Sequence, residues 1–294
     1  SLNRDSQTRM AEEASISALM DRVARTAPFH RELAKLGTEE QAVFDHTSLP
    51  GVPFVAALCI RTLPDTARAW VVAPHLRAQE ALAAQLETWG VRHLLFIPEK
   101  EVALGEEMGD PELAAERLNI LHRISSSRTG GQTIILTEGS LNDEVPSPDG
   151  MQNQGITLKT GETHAPDDLI RQFEEAGFEG VPQVISRGQW SRRGGILDVF
   201  PLQSSHPVRL EFFDDEIESI REFDVDSQIS FRKAEHVNLI LAEAEGAETL
   251  RDWIKPGDLV ITAPFCKERG NVCILTSPPE NAAGEENFSL AIHD

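Results

Sequence analysis

The sequence predicts an α/β protein: a parallel-sheet domain interrupted by a small inserted α+β domain built on an antiparallel meander. Three observations carry this prediction. Apolar runs alternate with amphipathic helical stretches through the first half of the chain. A polar segment bearing two prolines and two glycines ends that pattern. Short alternating segments joined by turns follow, before helix and strand patterns return.

Taken in order, "AVFD" reads as a first strand and "FVAALCIRTL" as the helix after it. "ARAWVVAP" (67–74) is a continuous apolar run of the kind a buried strand shows. In "HLRAQEALAAQLETWG", Ala78, Leu82, Leu86 and Trp89 share one helical face, and Gly90 is the stop. "VRHLLFIP" is the next strand. Asp110-Pro111 opens a helix in the order expected of a cap followed by a first helical proline, and "QTIILT" (132–137) is another buried strand. The segment "NDEVPSPDGMQNQG" (142–155) reads as a linker. Beyond it come a short strand "GITLKTG", a helix "APDDLIRQFEEAGF" and a meander of "RGGILDVFP", "HPVRLEFF" and "EIESIREF". "AETLRDWI" then reads as helix and "DLVITAP" as a strand rejoining the first sheet. These readings place the first part of the α/β domain at 1–154, the insertion at 155–240 and the return segment at 241–294. No internal repeat is seen.

Composition narrows the function. The 294 residues include 48 acidic and 27 basic side chains, a formal charge of −21. A surface that binds duplex DNA by itself needs a basic footprint, so little direct DNA binding is expected and the expected partner is another protein. No apolar run approaches the ~20 residues of a membrane span, and the N-terminal "SLNRDSQTRMAEE" shows no signal-peptide pattern. Three cysteines (Cys59, Cys266, Cys273) make no disulfide framework and fit a reducing cytoplasm. Cys266 and Cys273 lack the spacing of a zinc site and read as structural.

Catalytic signatures are missing. Between the first strand and its helix, where a phosphate loop would carry GxxxxGK[ST], stands "HTSLPGVP". Gly51 is there, but no Gly-Lys-Ser/Thr, and Pro53 removes a backbone donor. GxSxG, HExxH and GxGxxG are likewise absent. "FFDDE" (212–216) reads as a solvated hairpin turn in preference to a metal-binding carboxylate cluster. No cofactor, no metal and no catalysis are expected of this chain.

Against that acidic background, residues 181–209 hold four arginines (187, 192, 193 and 209) and one acid, Asp198, for a local charge of +3. As a period-two strand, "HPVRLEFFDD" turns Val208, Leu210 and Phe212 inward and Arg209, Glu211 and Phe213 outward. Gly194-Gly195 can set a bend that brings Arg193 toward the same surface. An ordinary polar face with one stray Phe would look similar. Arginine beside an aromatic is also the composition of binding hot spots, and guanidinium groups pair with carboxylates in bidentate fashion. The patch therefore reads as a docking plug for an acidic protein surface.

"SRRGGILDVFP…HPVRLEFFDDEIESIREFDVDSQIS" closely resembles the UvrA-binding domain of bacterial transcription-repair coupling factors (Mfd), a domain also found in the excision-repair protein UvrB. The match is specific over 177–230; "WVVAPHLRAQEALAAQLETWG", "PELAAERLNILHRI" and "TIILTEGSL" are similar to the UvrB-like domain more loosely, for a total of roughly 40–262. The resemblance implies a degenerate helicase-like parallel-sheet domain split by the inserted UvrA-binding domain, within a longer protein whose other regions meet RNA polymerase and drive along DNA. It places the UvrA contacts on Arg193, Arg209 and Phe213, with Arg192 and Glu211 as neighbours. UvrB itself keeps the phosphate loop and a tyrosine-rich hairpin; this chain has neither the loop motif nor a single tyrosine. The expected function is an adaptor that recruits UvrA at stalled polymerase. Two rivals are a UvrB-like ATP-dependent helicase that binds damaged DNA, and a stand-alone module whose patch serves an unrelated partner.

Overall fold

The computed structural model describes residues 14–38, 40–64, 66–100, 110–126, 131–152, 155–241 and 248–276. The polar stretch 1–13, residues 101–109 of the acidic segment 99–116 and residues 277–294 lie outside the described residues. The chain divides into two compact units, 1–96 with 129–139 and 254–294, and 97–128 with 140–253. The stretch 155–240 lies wholly within the second unit.

The first unit is built on a six-stranded sheet, parallel throughout, in the spatial order Ala42–Thr47, Val272–Thr276, Leu259–Thr262, Ala69–Ala73, Thr133–Thr137, Leu94–Phe96. The Ala69–Ala73 and Thr133–Thr137 strands are buried at every residue, as unbroken apolar runs require when both faces are covered. Trp70 is fully buried, and its indole N–H is satisfied by Asp258 Oδ2 at 2.9 Å. The helix Leu76–Thr88 is capped by His75, whose Nδ1 accepts from the Ala78 amide at 3.2 Å. It ends at Gly90, where φ is +87°. Leu82 and Leu86 are its buried residues from the predicted face, with Ala78 and Trp89 half-buried beside them. The "DLVITAP" strand does rejoin this sheet, and a further strand, Val272–Thr276, not read from the sequence, separates it from Ala42–Thr47.

The second unit holds a six-stranded sheet ordered Ser230–Ala234, Glu216–Phe223, Val208–Phe213, Ile196–Val199, Gln189–Arg193, Glu179–Gly180. All neighbours are antiparallel except the last pair. One face packs on the helix Pro166–Glu175: Leu169 and Phe173 join Leu197, Leu210 and Ile220 in one buried cluster. Burial of each such side chain contributes about 1.5–3 kcal/mol. The helix begins with Pro166 at its first position and stops at Gly177, with φ +85°. Gly155–Lys159 pairs antiparallel with His236–Ile240. The fold class is the one the sequence predicts: a parallel α/β sheet and a separate, mostly antiparallel sheet.

Two local expectations are corrected. Residues 142–152 are not an open linker: Glu144–Val145 forms a strand with Glu248–Thr249, Pro148–Gln152 is helical, and Val145 and Met151 are buried. Two apolar side chains among the polar ones were enough to draw the segment into a core. "AETLRDWI" is not an α-helix over its described residues; Leu250–Trp253 is a single 3-10 turn. Asp252 accepts from both the amide and the hydroxyl of Thr249, a local bond that favours a turn over a continuous helix. Among the described residues no helix is long and apolar enough to cross a membrane.

Candidate protein-docking face

The face of the second sheet turned away from the Pro166–Glu175 helix is organised by register. Ser191, Asp198, Arg209, Arg221 and Lys233 stand side by side across five strands, and Arg193, Ile196, Glu211 and Ser219 form the next row. Val208, Leu210 and Phe212 are buried and Phe213 is open, so the period-two reading of this strand holds. A register shift between Glu211 and Phe212 leaves Phe213 opposite Glu216 at the end of the ladder, beside the Asp214–Asp215 turn. "FFDDE" is thus a strand end and a hairpin turn; Asp214 takes the left-handed conformation, with φ +50°.

Gly194 and Gly195 form a two-residue hairpin between Gln189–Arg193 and Ile196–Val199, the first of which the sequence reading missed. Gly194 has φ +62°. A Cβ on Gly195 would stand 2.8 Å from the Phe212 carbonyl oxygen, and the Phe212 amide donates to the Gly195 carbonyl at 2.7 Å. The glycine pair therefore lets the hairpin close against the neighbouring strand and fixes Arg193 on the outer face.

The two central arginines share one carboxylate. Asp198 is 1% exposed; its Oδ1 accepts from Arg209 Nε at 2.8 Å, and its Oδ2 accepts from Arg209 Nη2 and Arg193 Nη2, both at 2.9 Å. Arg209 also lies 4.4 Å from the centre of the Phe223 ring and donates to the Gln228 carbonyl at 3.3 Å. Hydrogen bonding to Asp198 pushes the Arg209 guanidinium above its ordinary value, against partial desolvation. Outward parity did not make this side chain free: it is 13% exposed, against 52% for Arg193 and 67% for Phe213. Glu211 is held by the Ser219 hydroxyl at 2.5 Å and lies 3.5 Å from Arg221.

Arg192 does not share this face. Its cross-strand partner is the core residue Leu197, and its guanidinium pairs with Asp167 in the first turn of the Pro166–Glu175 helix. Alternation along Gln189–Arg193 sends adjacent arginines to opposite sides. Arg187, also in the basic run, is tied to Glu112 at 2.7 Å and stacks near Phe200. What sequence reasoning missed is Asp198. It appeared only as the lone acid of the run, because its position opposite Arg209 emerges from strand pairing and not from spacing along the chain.

Where a phosphate loop would stand, the lining is largely apolar. After Ala42–Thr47 the chain makes a 3-10 turn, Leu49–Gly51, and enters the helix Val52–Arg61 with Val52 and Pro53 buried. A cavity of about 590 Å³ opens here, lined among others by Leu49, Val52, Pro53, Leu82 and Phe265, with His75 and Arg77 as its basic members. Among the described residues lining it there is no lysine, hydroxyl or carboxylate, and Leu259–Thr262 runs out into Ala263-Pro264-Phe265. These residues do not fit a magnesium-bound triphosphate, which needs amide donors, a lysine and a carboxylate. Cys59 and Cys266 are partly or wholly buried, their thiols pushed up to about 12 chiefly by desolvation. Among the described residues no cluster of His, Cys, Asp and Glu has the makings of a metal site.

Residues 156–244 match the family model of the UvrB interaction domain. The chain is similar to the transcription-repair-coupling factor of Haemophilus influenzae, 33% identical over 174 residues, which is 58% of this chain and 15% of that protein. It is similar to that of Escherichia coli, 35% identical over 131 residues (45% and 11%), and of Bacillus subtilis, 31% over 149 residues (50% and 12%). The resemblance read from the sequence is thereby borne out, and the matched part spans no more than 15% of these relatives' length.

Proposed function

We propose that this chain is an adaptor module of a transcription-repair coupling factor: it recruits UvrA in transcription-coupled nucleotide excision repair by protein docking, with no catalysis of its own. The observation that carries this reading is the outer face of the 155–240 sheet, where a braced guanidinium, Arg209, half-open Arg193 and open Phe213 follow one another toward the strand end, inside the stretch that matches the UvrB interaction domain. An exposed aromatic near arginine suits a hot spot, and the row that carries Arg209, Arg221 and Lys233 against the single Asp198 suits an acidic partner surface. Arg193, Arg209 and Phe213 are the core of the contact, with Glu211 and Arg221 on its margin. RNA polymerase and DNA are met through other regions of the parent protein.

Titration of cognate UvrA against the wild-type chain and an Arg193→Ala/Arg209→Ala variant tests the reading. Loss of two charged hot-spot residues costs on the order of 2–5 kcal/mol together; a variant that binds as well as wild type sinks it. The rival ATP-driven helicase reading predicts that ATP and magnesium raise the melting temperature. The proline-broken, lysine-free loop at 46–53 predicts no shift.

A further inference from the structure

We infer that Asp198 is a positioning residue of the docking face: one buried carboxylate aims Arg193 at the partner and holds Arg209 beneath it. The inference rests on the UvrA-docking reading and deepens it. Asp198 belongs to the strand Ile196–Val199, between the strands that carry the two arginines. Arg209 is its direct cross-strand partner, whereas Arg193 reaches it diagonally, since the residue opposite Asp198 on that side is Ser191. Both carboxylate oxygens are engaged, and the residue is closed to solvent, so no outside cation shares it. Three charges in one cluster leave a net charge of +1. Arg209 spends Nε, Nη1 and Nη2 on Asp198 and the Gln228 carbonyl. Arg193 gives a single Nη2 contact to Asp198, and no other hydrogen bond of its guanidinium is seen among the described residues. A long side chain on a hairpin end loses rotamer freedom when it binds. The tie to Asp198 removes part of that freedom beforehand and leaves the rest of the guanidinium edge for a partner carboxylate, in the geometry of an Arg–carboxylate pair.

A carboxylate that only holds the sheet together would look similar in a stability measurement, so the test is a coupling measurement on the 294-residue chain. UvrA dissociation rates are measured for Asp198→Asn alone, on an Arg193→Ala background and on a Phe213→Ala background. A positioning role predicts about tenfold or faster dissociation for Asp198→Asn alone and again with Phe213→Ala, but a severalfold smaller further effect once Arg193 is gone, the remainder being what Asp198 does through Arg209. The same penalty on all three backgrounds, or none on any, overturns the inference. If Asp198→Asn does not fold, Asp198→Asn/Arg209→Met removes both members of the buried couple without stranding a charge. Compared with Arg209→Met it must show the same acceleration, and equal rates overturn the inference. Should Arg193→Ala and Phe213→Ala themselves leave UvrA binding intact, the docking reading fails instead. A defect confined to Asp198 variants' effect on Arg193 concerns this inference alone.

Discussion

Truncating Phe213 tests the proposed docking separately from folding. The residue is 67% exposed at the end of its strand and, among the described residues, belongs to no buried cluster. Phe213→Ala is therefore expected to change folding stability by no more than about 0.5 kcal/mol. A phenylalanine carries roughly 150–200 Å² of surface, so about 100–130 Å² is open to a partner. At ~25 cal/mol per Å² its burial contributes about 2.5–3.3 kcal/mol, and with ~1.4 kcal/mol per factor of ten the affinity for UvrA falls about 60- to 200-fold. Calorimetric titration of UvrA, with a melting curve for each protein, measures both quantities. An unchanged dissociation constant with an unchanged melt refutes the reasoning, because the ring would then stay in water in the complex. A large drop in melting temperature would refute the premise that the ring contributes nothing to the core.

Three further predictions concern the framework of that face. Arg209→Ala leaves the buried Asp198 carboxylate with only the single Arg193 contact and is expected to cost about 3–5 kcal/mol in urea denaturation, while Arg193→Ala, half in solvent, costs less than about 1 kcal/mol; equal losses would show that Asp198 does not distinguish its partners. Gly195→Ala puts a methyl group 2.8 Å from the Phe212 carbonyl oxygen and is expected to destabilise by about 1–3 kcal/mol, with faster hydrogen exchange at the Phe212 amide. Glu32, in the first unit, accepts from Lys35 Nζ at 2.8 Å and from the Val43 amide at 2.9 Å; the Lys35 bond first, then the amide, hold its carboxyl below the ordinary value of about 4.5. With its folded value lowered, its contribution is complete above that pH and is lost as pH falls through the folded value. Glu32→Gln should therefore flatten the acid limb of the stability curve of the chain and leave its slope near neutrality alone.

Much of this was legible in the sequence because the signals were local. Ala69–Ala73 and Thr133–Thr137 announced themselves as apolar runs, and Val208–Phe213 as a strict alternation that needed no partner to be read. The missed strands have weaker local signals. Gln189–Arg193 is polar at four of its five residues and becomes a strand through the glycine hairpin that follows it; Val272–Thr276 is a short run with Cys273 and Thr276 among its five residues, and its place beside Ala42–Thr47 is set by a partner 230 positions away. At the docking face, parity gave the correct side for Arg209 but not its accessibility. Whether an outward side chain is free depends on what the adjacent strand sets opposite it, and Asp198 faces Arg209 only once the register is fixed. The same applies to Arg192 and Arg193, which look alike as a pair in the chain and end on opposite sides of the sheet.

The edge strand Ala42–Thr47 carries a consequence for biosynthesis. Among the described residues its one ladder is with Val272–Thr276, so Ala42 waits for Val272, 230 positions downstream. At ~5–20 residues per second a ribosome takes about 10–50 s to cover that distance. The antiparallel sheet between them closes through near neighbours and has its last strand, Ser230–Ala234, in hand earlier. During translation the antiparallel sheet of the second unit is thus complete while the parallel sheet of the first still lacks two strands, and a nascent chain displays Arg193, Arg209 and Phe213 before the other unit has finished folding.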